Sequence, residues 1–256
     1  MKYSEKCPVV CKKAIAADIF DIRLYSPRIT AEAVCGQFVN VKAEGFFLRR
    51  PISLCGIDRE KGELRLVFQV RGKGTEEISR LREGCLADII GPLGKGFDLS
   101  DRNRKAVIIG GGIGVPPMVP IAEFYGRNAA VITGFRSAGA VILQKDLEKT
   151  GAEVILCTDD GTAGMKGFVT NALEKCLEKE KPDIIYACGP MPMLRGIVKI
   201  ADENGIRTQV SLEERMGCGV GGCLVCACRT VKDGREVYSH VCKDGPVFEA
   251  EEVLFS

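Results

Sequence analysis

The sequence predicts a multidomain protein of three consecutive units: an antiparallel β-barrel over residues 1–101, an α/β domain with a parallel sheet over residues 102–212, and a small cysteine-rich module over residues 213–256. Short segments that alternate between apolar and polar residues, separated by Gly and Pro, predict the barrel. Apolar strands that alternate with helical patterns from Lys105 onward predict the parallel sheet. Four cysteines within the eleven residues 218–228 mark the third unit.

The composition limits the classes of protein to which the chain can belong. Its 256 residues, 46% of them hydrophobic, suffice for two ordinary domains and a small appendage. The net charge is +2 and acidic and basic residues are interleaved, so no nucleic-acid partner is expected. No signal peptide and no apolar run of membrane-spanning length are recognisable, so no membrane association is expected. Thirteen mostly scattered cysteines favour a reducing, cytoplasmic location.

In the first unit, residues 19–24, 37–42 and 63–70 alternate most clearly and predict strands. A short helix is predicted over residues 75–81, because Thr75 is a suitable N-cap and Ile78 and Leu81 follow at helical spacing.

Two motifs in this unit suggest a ligand rather than a structural role. Arg50 and Ser53 lie three residues apart in an extended segment, where the arginine suits a diphosphate and the hydroxyl can meet a heteroaromatic ring. The segment Arg71-Gly-Lys-Gly-Thr75 offers glycine N–H groups and a helix N-terminus to an anion. Each motif alone is weak evidence, since similar turns are common on protein surfaces.

In the second unit, strands and helices alternate as in a doubly wound, Rossmann-like sheet. A first strand from residue 105 leads into the turn Gly110-Gly-Gly-Ile-Gly114 and a helix that starts near Pro116. The remaining predicted strands cover residues 129–134, 153–158, 183–189 and 207–212, and the remaining predicted helices cover residues 141–149, 168–179 and 191–204.

Three features at the ends of these strands indicate a dinucleotide. The glycine turn departs from strict G-x-G-x-x-G, so alone it also fits a tight strand-to-helix turn. A later strand ends in Cys188-Gly-Pro190. Asp159 and Asp160 follow the strand over residues 153–158, where they would repel a 2′-phosphate and can accept hydrogen bonds from a ribose diol. This favours NAD over NADP, although Arg136-Ser137 offers a competing phosphate contact.

The cysteines of the third unit have the spacing of a plant-type 2Fe–2S cluster. Cys218, Cys223 and Cys226 read C-x4-C-x2-C, and Cys242 supplies a fourth thiol after fifteen residues. A four-cysteine zinc site usually pairs two C-x2-C motifs, and disulfides are a further alternative. A Rieske centre needs two histidines, and the chain has only His240. Cys228 remains open as an alternative ligand.

Together these motifs resemble the ferredoxin–NADP reductase superfamily and, in their order, the electron-transfer subunits of type B dihydroorotate dehydrogenase. The resemblance implies that FAD is bound by the signature Arg50, Pro51, Ile52 and Ser53, by Gly74 and Thr75, and by a strand that contains Val67, Phe68 and Gln69. It implies that Gly111, Gly112 and Gly114 hold the NAD pyrophosphate, with Asp159 and Asp160 at the ribose and Cys188, Gly189 and Pro190 beside the nicotinamide. It also implies that Cys218, Cys223, Cys226 and Cys242 are the 2Fe–2S ligands.

The resemblance further implies a partner, an FMN-containing catalytic subunit that oxidises dihydroorotate in pyrimidine biosynthesis, assembled as a heterotetramer with two of each subunit. Electrons would pass through the cluster and FAD to NAD. Related subunits of sulfide dehydrogenases and transhydrogenases share the layout, but some carry an aspartate where this chain has Cys218. A stand-alone NADH-dependent reductase for an acceptor such as ferredoxin, and a structural zinc protein, are the alternatives.

Overall fold

The computed structural model describes residues 2–255, which divide into two compact units. Residues 2–97, Glu214–Cys228 and Ser239–Pro246 form the barrel unit, and Asp98–Glu213, Arg229–Tyr238 and residues 247–255 form the sheet unit. The predicted fold class is confirmed: an antiparallel barrel, a parallel sheet and a C-terminal cysteine-rich segment are all present. The residue boundaries 1–101, 102–212 and 213–256 stay a prediction.

The barrel is closed by six antiparallel strands, accompanied by two short helices. The strands are β1 (Tyr3–Ala16), β2 (Ile19–Tyr25), β3 (Phe38–Val41), β4 (Arg50–Asp58), β5 (Glu63–Gln69) and β6 (Leu86–Leu93), and the helices are α1 (Pro27–Glu32) and α2 (Lys73–Ile78). Their order around the barrel is β1-β2-β5-β4-β3-β6, and this closure leaves no unpaired strand edge.

Alternation along each strand decides which side chains fill the barrel. On β3, Val39 and Val41 belong to the buried core, whereas Asn40 between them does not. On β5, Leu64 and Phe68 belong to the core. Because successive side chains of a strand point to opposite faces, Asn40 lies on the outer face of the barrel wall. It is nevertheless only 1% exposed, so another segment covers it.

The sheet unit is built on seven strands, and two further strands form a separate hairpin. The strands are β7 (Ala106–Gly111), β8 (Ala129–Phe135), β9 (Glu153–Thr158), β10 (Met165–Lys166), β11 (Ile184–Cys188), β12 (Arg207–Ser211), the hairpin strands β13 (Ala227–Lys232) and β14 (Arg235–His240), and β15 (Val247–Glu249). The sheet order is β10-β9-β8-β7-β11-β12-β15, and all pairs are parallel except β12 with β15.

Four α-helices connect these strands: α3 (Val119–Tyr125), α4 (Gln144–Glu148), α5 (Val169–Lys179) and α6 (Met191–Glu203). Within residues 2–255, none of the helices combines the length and the hydrophobicity that a bilayer crossing demands.

Three predicted helices start two or three residues away from the positions that the sequence indicates. The helix predicted near Pro116 begins as 3₁₀ turns, and α3 starts only at Val119. The helix predicted over residues 141–149 starts at Gln144, because Leu143 has the left-handed φ of 60° and cannot continue a helix. The helix predicted over residues 75–81 begins at Lys73 and ends at Ile78.

The antiparallel strand β15 was not predicted. It pairs with β12, and the Arg207 guanidinium contacts the carboxylates of both Glu249 on β15 and Asp98. Gln209 accepts a hydrogen bond from the Asp98 backbone N–H at 2.9 Å and donates one to Glu249. Only three residues long and without a clear alternation, β15 is recognisable only through these partners.

Candidate functional site

The four predicted cluster cysteines lie in the barrel unit and come together as two pairs. In the first pair, the Cys218 backbone N–H donates to Cys223 Sγ at 3.2 Å, and Cys218 Sγ in turn accepts from the N–H groups of Gly222 at 3.2 Å and of Val220 and Cys223 at 3.4 Å. These N–H groups lie within one glycine-rich loop, which therefore surrounds the Cys218 sulfur with donors.

The second pair joins the loop to the distant fourth cysteine. The Cys242 backbone N–H donates to Cys226 Sγ at 3.4 Å, and the Val241 N–H donates to the Cys226 carbonyl at 3.0 Å. Both cysteines are 1% exposed. The fourth thiol is thus brought to the loop by backbone hydrogen bonds, as the spacing predicts.

Among residues 2–255, no group of three or more Cys, His, Asp or Glu side chains converges on a single metal position. Two pairs of thiols fit a two-iron cluster, because each iron of a 2Fe–2S cluster takes two cysteines. A zinc ion, in contrast, requires all four ligands around one point. All thirteen cysteines are free thiols, so disulfides do not account for the motif.

The electrostatics of the pairs agree with this interpretation. Burial raises the pKa of the Cys218 thiol, but the N–H groups of Val220 and Gly222 and the neighbouring Cys223 outweigh burial and lower that pKa to about 6. Burial and the adjacent Cys226 raise the pKa of Cys242 to about 12. A bound metal ion deprotonates a coordinating thiol outright, and such a cation would offset the raised pKa of Cys242.

Cys228, the fifth thiol of the region, belongs to neither pair. It is half-buried on β13, and its pKa is raised to about 11 by burial and by nearby charges, first that of Glu214.

Asn40 is a site residue that the sequence did not reveal. Its side-chain Nδ2 donates to the Cys218 carbonyl at 3.0 Å, and a Cβ on Gly219 would lie 2.4 Å from that nitrogen. Gly219 has a φ of +70°, so both the backbone conformation and the close approach require glycine there. In the sequence, Asn40 is a polar residue at an outward position of a strand, which is indistinguishable from an ordinary surface residue.

The structure brings the two predicted flavin motifs together. A Cβ on Gly74 would lie 2.3 Å from Arg50 Nε, so the guanidinium rests directly on the first turn of α2. Arg50 also donates to the Leu48 carbonyl at 2.6 Å and lies over the Phe46 ring, 5.4 Å from its centre. Thr75 Oγ1 accepts from the Arg71 N–H at 2.9 Å and so closes the glycine loop.

The remaining predicted flavin residues lie on different sides of the barrel wall. Ile52 and Phe68 belong to the barrel core, and Phe68 stacks on Phe20 at 5.9 Å. Alternation places Pro51 and Ser53 on the outer face of β4, and Val67 and Gln69 on the outer face of β5. A ligand outside the wall would therefore meet the outer residues of these segments.

The two predicted dinucleotide turns touch each other at the carboxyl edge of the sheet. A Cβ on Gly114 would lie 2.4 Å from the Cys188 carbonyl oxygen, and a Cβ on Gly111 would lie 2.4 Å from Met193 Sδ, beside Pro190. Gly189 follows Cys188 at the end of β11. Gly112 has a φ of +54° and nothing within 4 Å of a would-be Cβ, which leaves space for a ligand.

The two adjacent aspartates have different environments. Asp160 Oδ1 accepts from the N–H of Thr162 at 2.9 Å and from its hydroxyl at 2.7 Å, and these bonds lower the pKa of Asp160. Asp159 is exposed, and within the described chain its carboxylate has no partner. Arg136 is exposed. It lies next to Asp160, because its backbone carbonyl accepts a hydrogen bond from the Asp160 N–H at 3.3 Å.

Residues 213–254 match the family described as the iron–sulfur cluster binding domain of dihydroorotate dehydrogenase B. The dihydroorotate dehydrogenase B (NAD(+)) electron transfer subunit of Geobacillus sp. (strain WCH70) is 39% identical, over 99% of this chain and 100% of that protein. The subunit of the same description from Caldanaerobacter subterraneus subsp. tengcongensis is 36% identical, over the full length of both chains.

Among solved structures, an NADH-dependent reduced ferredoxin–NADP oxidoreductase, studied for flavin-based electron bifurcation, is 33% identical, with a TM-score of 0.85 over 100% of this chain and 92% of that chain. The relatives match the whole chain at 36% and 39% identity, and the paired cysteines and the flavin and dinucleotide motifs agree with these matches. The chain belongs to the family of dihydroorotate dehydrogenase B electron transfer subunits.

Proposed function

We propose that this chain carries electrons from an FMN-containing, dihydroorotate-oxidising catalytic subunit through a 2Fe–2S cluster and FAD to NAD, in de novo pyrimidine biosynthesis. The single observation that carries the proposal is the presence of four paired cluster cysteines, a flavin motif and a dinucleotide sheet in one chain whose relatives share its whole length. A cluster takes up one electron at a time, whereas nicotinamide accepts a hydride, and bound FAD supplies the exchange between these two chemistries.

Each part of the chain has a distinct task in this scheme. Cys218 and Cys223 would hold one iron, and Cys226 and Cys242 the other. The N–H groups of the cluster loop, which already donate to Cys218 Sγ, would stabilise the negative charge of the reduced cluster.

The flavin and dinucleotide residues bind and orient their ligands. Arg50, positioned on Gly74, would hold the FAD diphosphate, and Ser53 would meet the ring from the outer face of β4. Gly112 lets the NAD pyrophosphate approach the backbone, and Asp159 would accept hydrogen bonds from the adenosine ribose.

The proposal includes the assembly and the compartment. The catalytic subunit is the partner, in a heterotetramer with two copies of each chain, because nothing in this sequence resembles a dihydroorotate site. The thirteen free thiols and the iron–sulfur cluster support a cytoplasmic location, where the reducing environment keeps cysteines unoxidised.

A reconstitution experiment tests this function. The chain and the catalytic subunit from the same organism are purified separately and together, and reduction of NAD by dihydroorotate is followed by absorbance. We expect the mixture to couple the two reactions, and the isolated chain to reduce an artificial dye with NADH without oxidising dihydroorotate. An active catalytic subunit that never transfers electrons to this chain would contradict the proposal.

A second candidate is a role like that of the NADH-dependent reduced ferredoxin–NADP oxidoreductase, which matches the chain over its whole length. The cysteine at position 218 and the higher identity to the dihydroorotate dehydrogenase B relatives favour the first role. Purification of the native complex distinguishes the two, since each requires a different partner.

A further inference from the structure

Asn40 connects two parts of the barrel unit that are 178 residues apart in sequence. Its Nδ2 donates to the carbonyl of Cys218, the first cysteine of the cluster loop. The Asn40 side chain is 1% exposed, and its Oδ1 has no hydrogen-bond partner among the residues that the structure describes. A buried amide that satisfies only part of its hydrogen-bonding capacity is costly for stability, and its presence indicates a functional constraint.

The position of Asn40 in the barrel relates the cluster loop to the flavin motif. In the register of β3 and β4, Asn40 is paired with Pro51, and Phe38 is paired with Ser53. Asn40 and Pro51 lie on the outer face of the wall, which Ser53 of the predicted flavin signature shares, whereas Ile52 of that signature faces the core. The residue that holds the Cys218 loop is therefore the direct cross-strand neighbour of the Arg50–Ser53 segment.

Further contacts lie next to this attachment. Arg49 forms an ion pair with Asp88 at 2.7 Å and donates to the Asp88 carbonyl at 2.9 Å, which ties the start of β4 to β6. Gly219 lies so close to the Asn40 amide that no side chain fits between them. The Gly219 backbone therefore packs directly against the Asn40 amide.

We propose that Asn40 is a positioning residue that holds the first cluster ligand at a fixed distance from the flavin strand and thereby sets the rate of electron transfer between cluster and flavin. This inference rests on the proposed function. Asn40 is suited to the task because the amide donates to a backbone carbonyl of the loop and leaves the cysteine sulfur free for iron. A small displacement of reacting groups is enough to slow a reaction strongly.

The test uses the complex with the catalytic subunit and two variants of this chain. Asn40→Leu keeps most of the volume but removes the hydrogen bond, and Asn40→Asp keeps the shape but cannot donate once ionised. Thr30→Val is the matched control, because Thr30 is equally buried in the same unit and donates to the Ser26 carbonyl at 2.7 Å, far along the chain from the cluster loop.

Three quantities are measured without oxygen: NADH-dependent reduction of a dye that accepts electrons from the flavin, the rate of cluster reduction after NADH is mixed in, and the electron paramagnetic resonance spectrum of the reduced cluster. For both Asn40 variants we expect unchanged dye reduction, a changed spectrum, and cluster reduction slower by about ten- to a hundredfold. Thr30→Val should leave all three as in the parent.

Loss of the cluster from both Asn40 variants would show that Asn40 retains the cluster rather than setting its distance from the flavin, and would overturn the positioning role. Parent-like cluster reduction and spectrum in both Asn40 variants would overturn it, as would an equal loss in Thr30→Val. A parent complex in which NADH reduces the flavin but never the cluster would instead contradict the proposed function, so the two failures are distinguishable.

Discussion

The paired arrangement of the cysteines predicts, residue by residue, which of them ligate the cluster. Cys242→Ser should lose most of its iron, because only Cys226 would remain of the buried pair and the cluster needs four cysteine ligands. Cys228→Ser should retain its iron, because Cys228 belongs to neither hydrogen-bonded pair. Iron content per chain and the visible spectrum measure both variants after identical reconstitution. Normal iron in Cys242→Ser would refute the assignment.

The unequal environments of the two aspartates predict which one discriminates against NADP. The Asp159 carboxylate is exposed and without a partner in the described chain, whereas Thr162 engages Asp160. Charge repulsion and a lost diol hydrogen bond should favour NADH over NADPH on the order of 10²-fold in dye reduction. Asp159→Asn should remove most of that preference, and the control Asp160→Asn should retain it. Equal use of both cofactors by the parent would instead indicate Arg136 as a phosphate site.

At the scale of secondary-structure elements, the contact between β4 and α2 prepares the flavin motif. The three atoms nearest to a Cβ on Gly74 all belong to the flexible end of Arg50, so Gly74→Ala should fold normally but displace the guanidinium. We expect FAD affinity to fall by about one to two decades, the value of one charge-assisted hydrogen bond.

Gly139→Ala is the control for this change, since Gly139 lies outside the flavin motif, a Cβ there meets nothing within 4 Å, and its φ is not in the left-handed region. Flavin fluorescence on titration with FAD measures both variants. Parent-like FAD affinity in Gly74→Ala would remove Arg50 from the site.

A buried tyrosine pair joins α3 to β11. The Tyr186 hydroxyl donates to the Asp98 carbonyl at 2.7 Å and lies 2.8 Å from the Tyr125 hydroxyl, and burial raises the pKa of both. Tyr186→Phe leaves these partners unsatisfied and should lower the free energy of unfolding by about 1–3 kcal/mol.

Denaturant unfolding measures this loss of stability. Tyr25→Phe, at a tyrosine that is 48% exposed, should change the unfolding midpoint little. An unchanged midpoint in Tyr186→Phe would show that the buried network contributes nothing.

At the scale of the whole molecule, the compact units do not follow the order of the chain. The cluster cysteines at 218–242 belong to the same unit as the flavin motif at 50–75, although the whole parallel sheet lies between them in sequence. Cluster and flavin residues are thus held in one compact body, which suits electron transfer between them.

Local patterns determined much of this protein by themselves. Alternation of period two predicted β2, β3 and β5, and the change to buried runs followed by helices predicted the parallel sheet. Both signals arise from neighbouring residues, so no long-range information is needed. The same holds for the cysteine spacing, because the chemistry of the cluster requires three ligands on one tight loop.

Only the tertiary structure decided which distant residues meet. The contact of Asn40 with Cys218 and the pairing of β15 with β12 each join segments whose sequences carry no sign of one another. Alternation gives Asn40 an outward position, but whether that position faces water or a cluster loop depends on how the chain returns to the barrel. Such contacts form between surfaces created by folding, and for this reason the residue proposed to control electron transfer was invisible in the sequence.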